Sequence, residues 1–185
     1  DITYVNGKYG KEMSFNGSTS FAQASSPVIG TTGTIAVRFK RNIAGVNHNL
    51  ITNFTDTTNG LNIRLASTDT ITLYTYGSTG EVGYNLKTGF TDVSNYHTGV
   101  LRITGSKILF MFDGVDYTFG QTADMVPGLA NLTLGRRAIS FASYDYFLNG
   151  IISHFRYDSR IWTADEARAW SLNPSVEDSI GFSAT

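Results

Sequence analysis

The chain has no cysteine, which excludes disulfides, thiolate metal sites and a cysteine nucleophile together. It has no uninterrupted apolar run of about 18 residues, so no membrane-spanning helix is expected. It also lacks a basic and then apolar N-terminal segment, so no secretory leader is expected. An excess of one charge is missing too: 14 basic against 15 acidic residues leave a net charge of -1, and no global field steers nucleic acid or an anionic membrane toward it. Only 3 prolines occur, and no Pro-rich linker divides the 185 residues. What the chain does contain is 19 glycines, many Thr, Ser and Asn, and 13% aromatics, a balance that suits an extracellular or virion β-protein and not a disordered one.

The dominant period is two. Ile35, Val37 and Phe39 alternate with polar neighbours in Thr34 to Lys40, the pattern of a half-buried strand. It returns in Leu61 to Leu65, Thr70 to Tyr76 and Val100 to Thr104, each bounded by turn residues. Ile108-Leu109-Phe110-Met111-Phe112 is apolar throughout and too short for a typical helix, so it predicts a central strand buried on both sides. Asp113-Gly114 then predicts a tight hairpin, because both residues tolerate positive φ, with Val115 to Phe119 returning antiparallel.

One segment predicts a helix. Thr163 can cap it while Glu166 reaches back as a capping box, Ala164, Ala167 and Ala169 are good helix formers, and Pro174 follows its end. Many short strands and one late helix imply an all-β antiparallel sandwich of jelly-roll connectivity, with one short C-terminal helix. The expected division is a single sandwich domain over 1–174 and a tail over 175–185, whose Val176, Ile180 and Phe182 either pack as a last edge or anchor the protein elsewhere.

Two stretches frame this sandwich: Gly10 to Phe21, with Phe15-Asn16-Gly17-Ser18 inside it, and Phe147-Leu148-Asn149-Gly150-Ile151 through Tyr157. With Tyr96-His97, Met111-Phe112-Asp113-Gly114, Leu134-Gly135 and Asp165-Glu166-Ala167 in the same order, the chain resembles a laminin-G-like domain of the concanavalin A-like lectin and glucanase superfamily, in its bacterial and bacteriophage variety. Met13 and Asn16 depart from the family's usual Ala and Asp. The resemblance covers almost the whole chain and implies a fold, since this sandwich serves lectins, glycosidases, lyases, adhesion modules and virion decorations alike.

Catalytic patterns of the superfamily are missing. The glucanase Glu-x-Asp-x-x-Glu strand is absent, and so are the lyase Gln-x-His and Tyr-x-Lys-x-Gly-x-Tyr strands. Glycoside hydrolysis needs two carboxyls roughly 5 to 9.5 Å apart. Here Asp113 and Asp116 straddle a hairpin, Glu81 stands alone, and Asp165-Glu166 open a helix, where carboxylates are favoured by the macrodipole. His48, His97 and His154 are scattered among strands and read as packed or surface residues. The resemblance allows calcium as a cofactor, held by hard oxygen ligands. No compact Asp-rich loop offers them, although Asp145 and Asp158 are available carboxylates.

Sugar binding asks for aromatic faces and planar polar partners. The candidates are Tyr74 and Tyr76 on one strand face, Tyr84 nearby, Tyr144 and Tyr146 in a loop, and Arg136 of the Arg136-Arg137 pair for an anionic glycan. The expectation is a non-enzymatic binding, adhesion or decoration module on a virion or cell surface that recognises a glycan or surface polysaccharide. Other virion proteins and further copies of the chain are its expected protein partners, and neither nucleic acid nor membrane insertion is expected. The alternatives are a purely structural capsid or tail component, and a divergent polysaccharide hydrolase or lyase.

Overall fold

The computed structural model describes residues 2–7, 10–24, 32–56, 59–77, 80–105, 107–119, 132–140, 143–174 and 183–184. Two seven-stranded sheets carry the fold. The first runs, edge to edge, β1 (Thr3–Gly7), β2 (Gly10–Asn16), β15 (Asn149–Asp158), β4 (Thr32–Arg41), β9 (His97–Thr104), β10 (Ile108–Phe112) and β11 (Val115–Phe119). The second runs β16 (Ser183–Ala184), β3 (Ala22–Ala24), β12 (Leu132–Leu134), β5 (His48–Asp56), β6 (Asn59–Ala66), β7 (Thr70–Gly77) and β8 (Gly80–Lys87). A separate two-stranded ribbon joins β13 (Arg137–Ser140) to β14 (Ser143–Asp145), and the helix α1 spans Ala164–Leu172. Neighbouring strands in both sheets pair antiparallel, as the alternation predicts.

Period-two side chains from the two sheets meet in one core. Ile35, Val37, Phe39, Leu101, Ile103 and Phe110 of the first sheet pack in the same cluster as Leu61, Ile63, Leu65, Ile71 and Leu73 of the second. Each such side chain contributes about 1.5–3 kcal/mol by leaving water. The Asp113-Gly114 hairpin forms as expected: Phe112 pairs with Val115, and both turn residues take positive φ, 49° and 78°. Gly150 lets β15 approach β4, because a Cβ there would lie 2.2 Å from the Lys40 carbonyl oxygen.

The first sheet departs from a simple half-buried reading. Ala36, Val100 and Met111 point away from the core, yet all three are fully buried, because Trp162, Ala167 and Trp170 close over them. Trp162 and Trp170 stand 6.2 Å apart, and α1 carries the second of them. The helix begins as the sequence predicts, with the Thr163 hydroxyl accepting from the Glu166 N–H and the Glu166 carboxylate accepting from the Thr163 N–H. Ile108 to Phe112 is thus buried on both sides at Met111, but it lies beside the edge strand β11 and is not central. In the expected tail, Ser183 and Ala184 return to pair with Gln23 and Ala22; Val176, Ile180 and Phe182 lie outside the described residues.

Candidate functional site

Leu61, Ile63 and Leu65 face the core, so alternation turns Asn62 and Arg64 to the opposite face of β6. Register then sets Tyr74 across from Asn62 and Tyr76 across from Gly60, while β8 brings Gly83 beside Tyr74 and Glu81 beside Tyr76. Gly83 makes room for a ring: a Cβ there would lie 3.0 Å from the Tyr74 side chain. The Arg64 guanidinium covers that ring at 4.3 Å from its centroid and donates to the Tyr74 hydroxyl. Burial and a hydrogen bond to Glu81 push the Tyr76 phenol well above its ordinary value. Asn62 opposes that shift weakly; it is wholly buried, and neither amide atom completes a hydrogen bond of good geometry.

The ribbon β13–β14 brings a second arginine to this face. Arg137 binds Asp145 through two parallel bonds of 2.7 and 2.6 Å, and its guanidinium lies 4.3 Å from the centre of the Tyr146 ring. Burial lowers the affinity of Arg137 for its proton, but Asp145 more than compensates, and the net shift is upward. Arg64 also reaches Tyr146, at 5.4 Å. Tyr146 itself has φ of 53°, a left-handed conformation that a bulky side chain rarely adopts. Its carbonyl accepts from the Asn49 N–H at 2.8 Å, which holds it there. Strain of this kind collects where geometry serves a ligand.

Tyr74, Tyr76 and Tyr146 therefore converge, joined by Arg137 and Glu81 and by Arg64 and Asn62, the last two of which sequence alone does not single out. Two candidates go elsewhere, and the side chain of a third is not described. Tyr84 pairs with Leu73 and sits in the core at 8% exposure. Arg136 turns inward at 7% exposure, with its guanidinium 3.1 Å above the Phe21 ring, and its carbonyl accepts from Asn49 Nδ2 and Thr52 Oγ1. The backbone of Tyr144 pairs with Ala138, and its side chain lies outside the described residues. A signal for Arg64 was present, since the short Ala66–Thr70 turn fixes Asn62 and Arg64 opposite Tyr74 and Thr72.

The hairpin carboxylates are engaged in structural pairs. Asp116 bonds Arg102 at 2.9 Å, and Asp113 accepts from the Thr98 N–H and lies 2.7 Å from His97 Nδ1. His97 is also 3.4 Å from Asp92 and stacks on Phe112 at 5.3 Å, so it ties the start of β9 to the β10–β11 turn. The two carboxylates available to calcium are engaged elsewhere. Both Asp145 oxygens hold Arg137, Asp158 accepts from Trp162 Nε1, and no group of three or more metal-ligating side chains occurs among the described residues.

The sequence matches no protein-family model and no curated protein. Solved structures do match. Domain 4 of AbnA, a GH43 extracellular arabinanase from Geobacillus stearothermophilus in complex with arabinotriose, aligns with a TM-score of 0.75 at 16% identity, over 92% of this chain and 81% of that one. The fold is a concanavalin A-like jelly roll. The CBM40 domain of the Ruminococcus gnavus IT-sialidase bound to α2,3 sialyllactose aligns at 0.69, with 16% identity over 89% and 97%. The native heptameric SAP-like pentraxin of Limulus polyphemus aligns at 0.68, with 12% identity over 94% and 91%.

Proposed function

We propose that this chain is a non-enzymatic glycan-binding module displayed outside a cell or on a virion. The observation that carries the reading is the strained Tyr146, held under Arg64 and Arg137 on the sheet face that also carries the half-buried Tyr74; Tyr76, on the same strand face, is buried at 3% exposure. Guanidinium and phenol groups are fitted to recognise hydroxyls and carboxylates, and ring contacts with Arg64 and Arg137 fix their placement before a ligand arrives. Arg64 already covers the Tyr74 ring, so this face offers polar contacts in preference to a bare stacking surface. Fold neighbours solved in complex with arabinotriose and bound to sialyllactose support the same reading.

A single such site binds weakly, and array on a particle would raise its strength through effective concentration. The test is a glycan array probed with a multimerised form, with calcium and again with chelator. Selective signal that survives chelation is the expected result, because Asp145 is committed to Arg137. A blank array under both conditions sinks the proposal and favours the purely structural role.

A further inference from the structure

Three connections between the sheets meet at one end of the sandwich: the segment after β2, the β4–β5 loop and the approach to β15. Ile43, Val46, Asn47, Tyr146 and Asn149 line a groove of about 380 Å³ there, with His48 buried beneath at 3% exposure. That volume falls in the range of small-ligand sites, about 300–1,000 Å³. We infer that this groove holds an uncharged sugar residue of the glycan. The inference rests on the glycan-binding reading and extends it past Tyr146, which borders both surfaces.

The chemistry of the lining selects the ligand class. Among the described residues no Asp, Glu, Lys or Arg lines it, and although Arg64 and Arg137 reach the Tyr146 ring, neither belongs to the groove. A carboxylated or sulfated sugar would therefore surrender its hydration without gaining a cation. The amides are pinned in one orientation. Asn47 Oδ1 accepts from the Ser67 N–H at 2.9 Å, and Asn149 Oδ1 accepts from Asn42 Nδ2 at 3.0 Å. Among the described residues neither amide nitrogen has a partner, so both residues keep N–H donors for hydroxyl, ether or acetamido oxygens.

His48 fixes the backbone that carries Asn149. Its Nδ1 lies 2.9 Å from the Phe147 carbonyl oxygen and 3.2 Å from the Asn149 nitrogen, and it bonds one of the two: protonated, it donates to the carbonyl, and unprotonated, it accepts from the Asn149 N–H. Ile43 and Val46, 45% and 40% exposed, supply aliphatic surface for the C–H faces of a ring. Donors pinned before binding, an apolar rim and no net charge fit a neutral sugar better than an acidic one.

Two variants separate the groove from the tyrosine–arginine face. The double variant Asn47→Asp/Asn149→Asp keeps both internal acceptors and removes both donors, while Val46→Arg fills the groove from an exposed loop position. Each is assayed beside wild type on an array of neutral and carboxylated oligosaccharides, with melting curves to confirm folding. The expected result is that wild type binds neutral glycans and that both folded variants lose this binding by about tenfold or more. Neutral binding that survives both variants but disappears in Arg137→Gln overturns the groove and leaves the glycan-binding module standing. Binding of carboxylated glycans alone overturns the ligand class. A wild-type chain that binds no glycan overturns both.

Discussion

The guanidinium of Arg41, with no exposed side-chain surface, lies 3.0 Å from the Asp69 carboxylate, and the same Asp69 oxygen accepts from the Gly45 N–H at 3.0 Å. Burial holds Arg41 below its ordinary pKa, and Asp69 offsets part of that penalty. Removing one partner of such a pair costs more than removing the buried charge itself. Asp69→Ala should lower unfolding free energy by about 3 kcal/mol in urea titrations, and Arg41→Met by clearly less. Equal losses would show that Asp69 does not compensate the charge. Because Gly45 belongs to the loop that walls the groove, Asp69→Ala should also weaken glycan binding.

Gly150 sits in a β-strand with backbone against its α-carbon. Gly150→Ala places a methyl group 2.2 Å from the Lys40 carbonyl oxygen, a contact relieved only by separating β15 from β4. A loss of about 3 kcal/mol or failure to fold is expected, measured by urea unfolding or soluble yield. A variant as stable as wild type would mean that the two strands approach less closely.

Asp92 gives the chain an acid-sensitive loop. The Asn95 amide first, and then the backbone N–H groups of Ser94 and Asn95, hold its carboxyl at about 2, below the 3.8 of an unperturbed aspartate. A folded value below the unfolded one means that the stabilisation is complete above pH 3.8 and is lost as pH falls toward about 2. Melting temperatures should therefore decline less steeply through that window in Asp92→Asn than in wild type. Parallel curves would remove Asp92 from the explanation.

Tyr146→Gly separates strain from recognition. Glycine accepts φ of 53° without penalty, so the backbone gain offsets the lost ring contacts, and the melting temperature should move by only a few degrees. Glycan binding should nevertheless fall by about tenfold or more, because the ring shared by the groove and the two arginines is gone. Unchanged affinity would make the left-handed tyrosine a matter of chain routing alone.

Features set by neighbours in sequence were the legible ones. The Asp113-Gly114 turn, the Thr163–Glu166 capping box and the alternation of Ile35, Val37 and Phe39 each follow from local chemistry, and each forms. Val82, Tyr84 and Leu86 alternate as well, and that signal places Tyr84 on the core side of β8, against its selection as a ligand contact. The two adjacent arginines were not separable, since only the packing of Arg136 on Phe21 decides that Arg137 is the one facing Tyr146. The groove was hidden for the same reason: its walls come from three segments far apart in sequence.

The chain has two tryptophans, Trp162 and Trp170, and both lie under the helix side of the first sheet, 4% and 6% exposed. Their fluorescence is thus a reporter of one event, the docking of α1 onto Ala36, Val100 and Met111. Neither indole belongs to the groove or the tyrosine–arginine face, so emission that stays flat during a sugar titration is compatible with full occupancy of either surface, whereas the same signal in denaturant records the helix leaving its sheet.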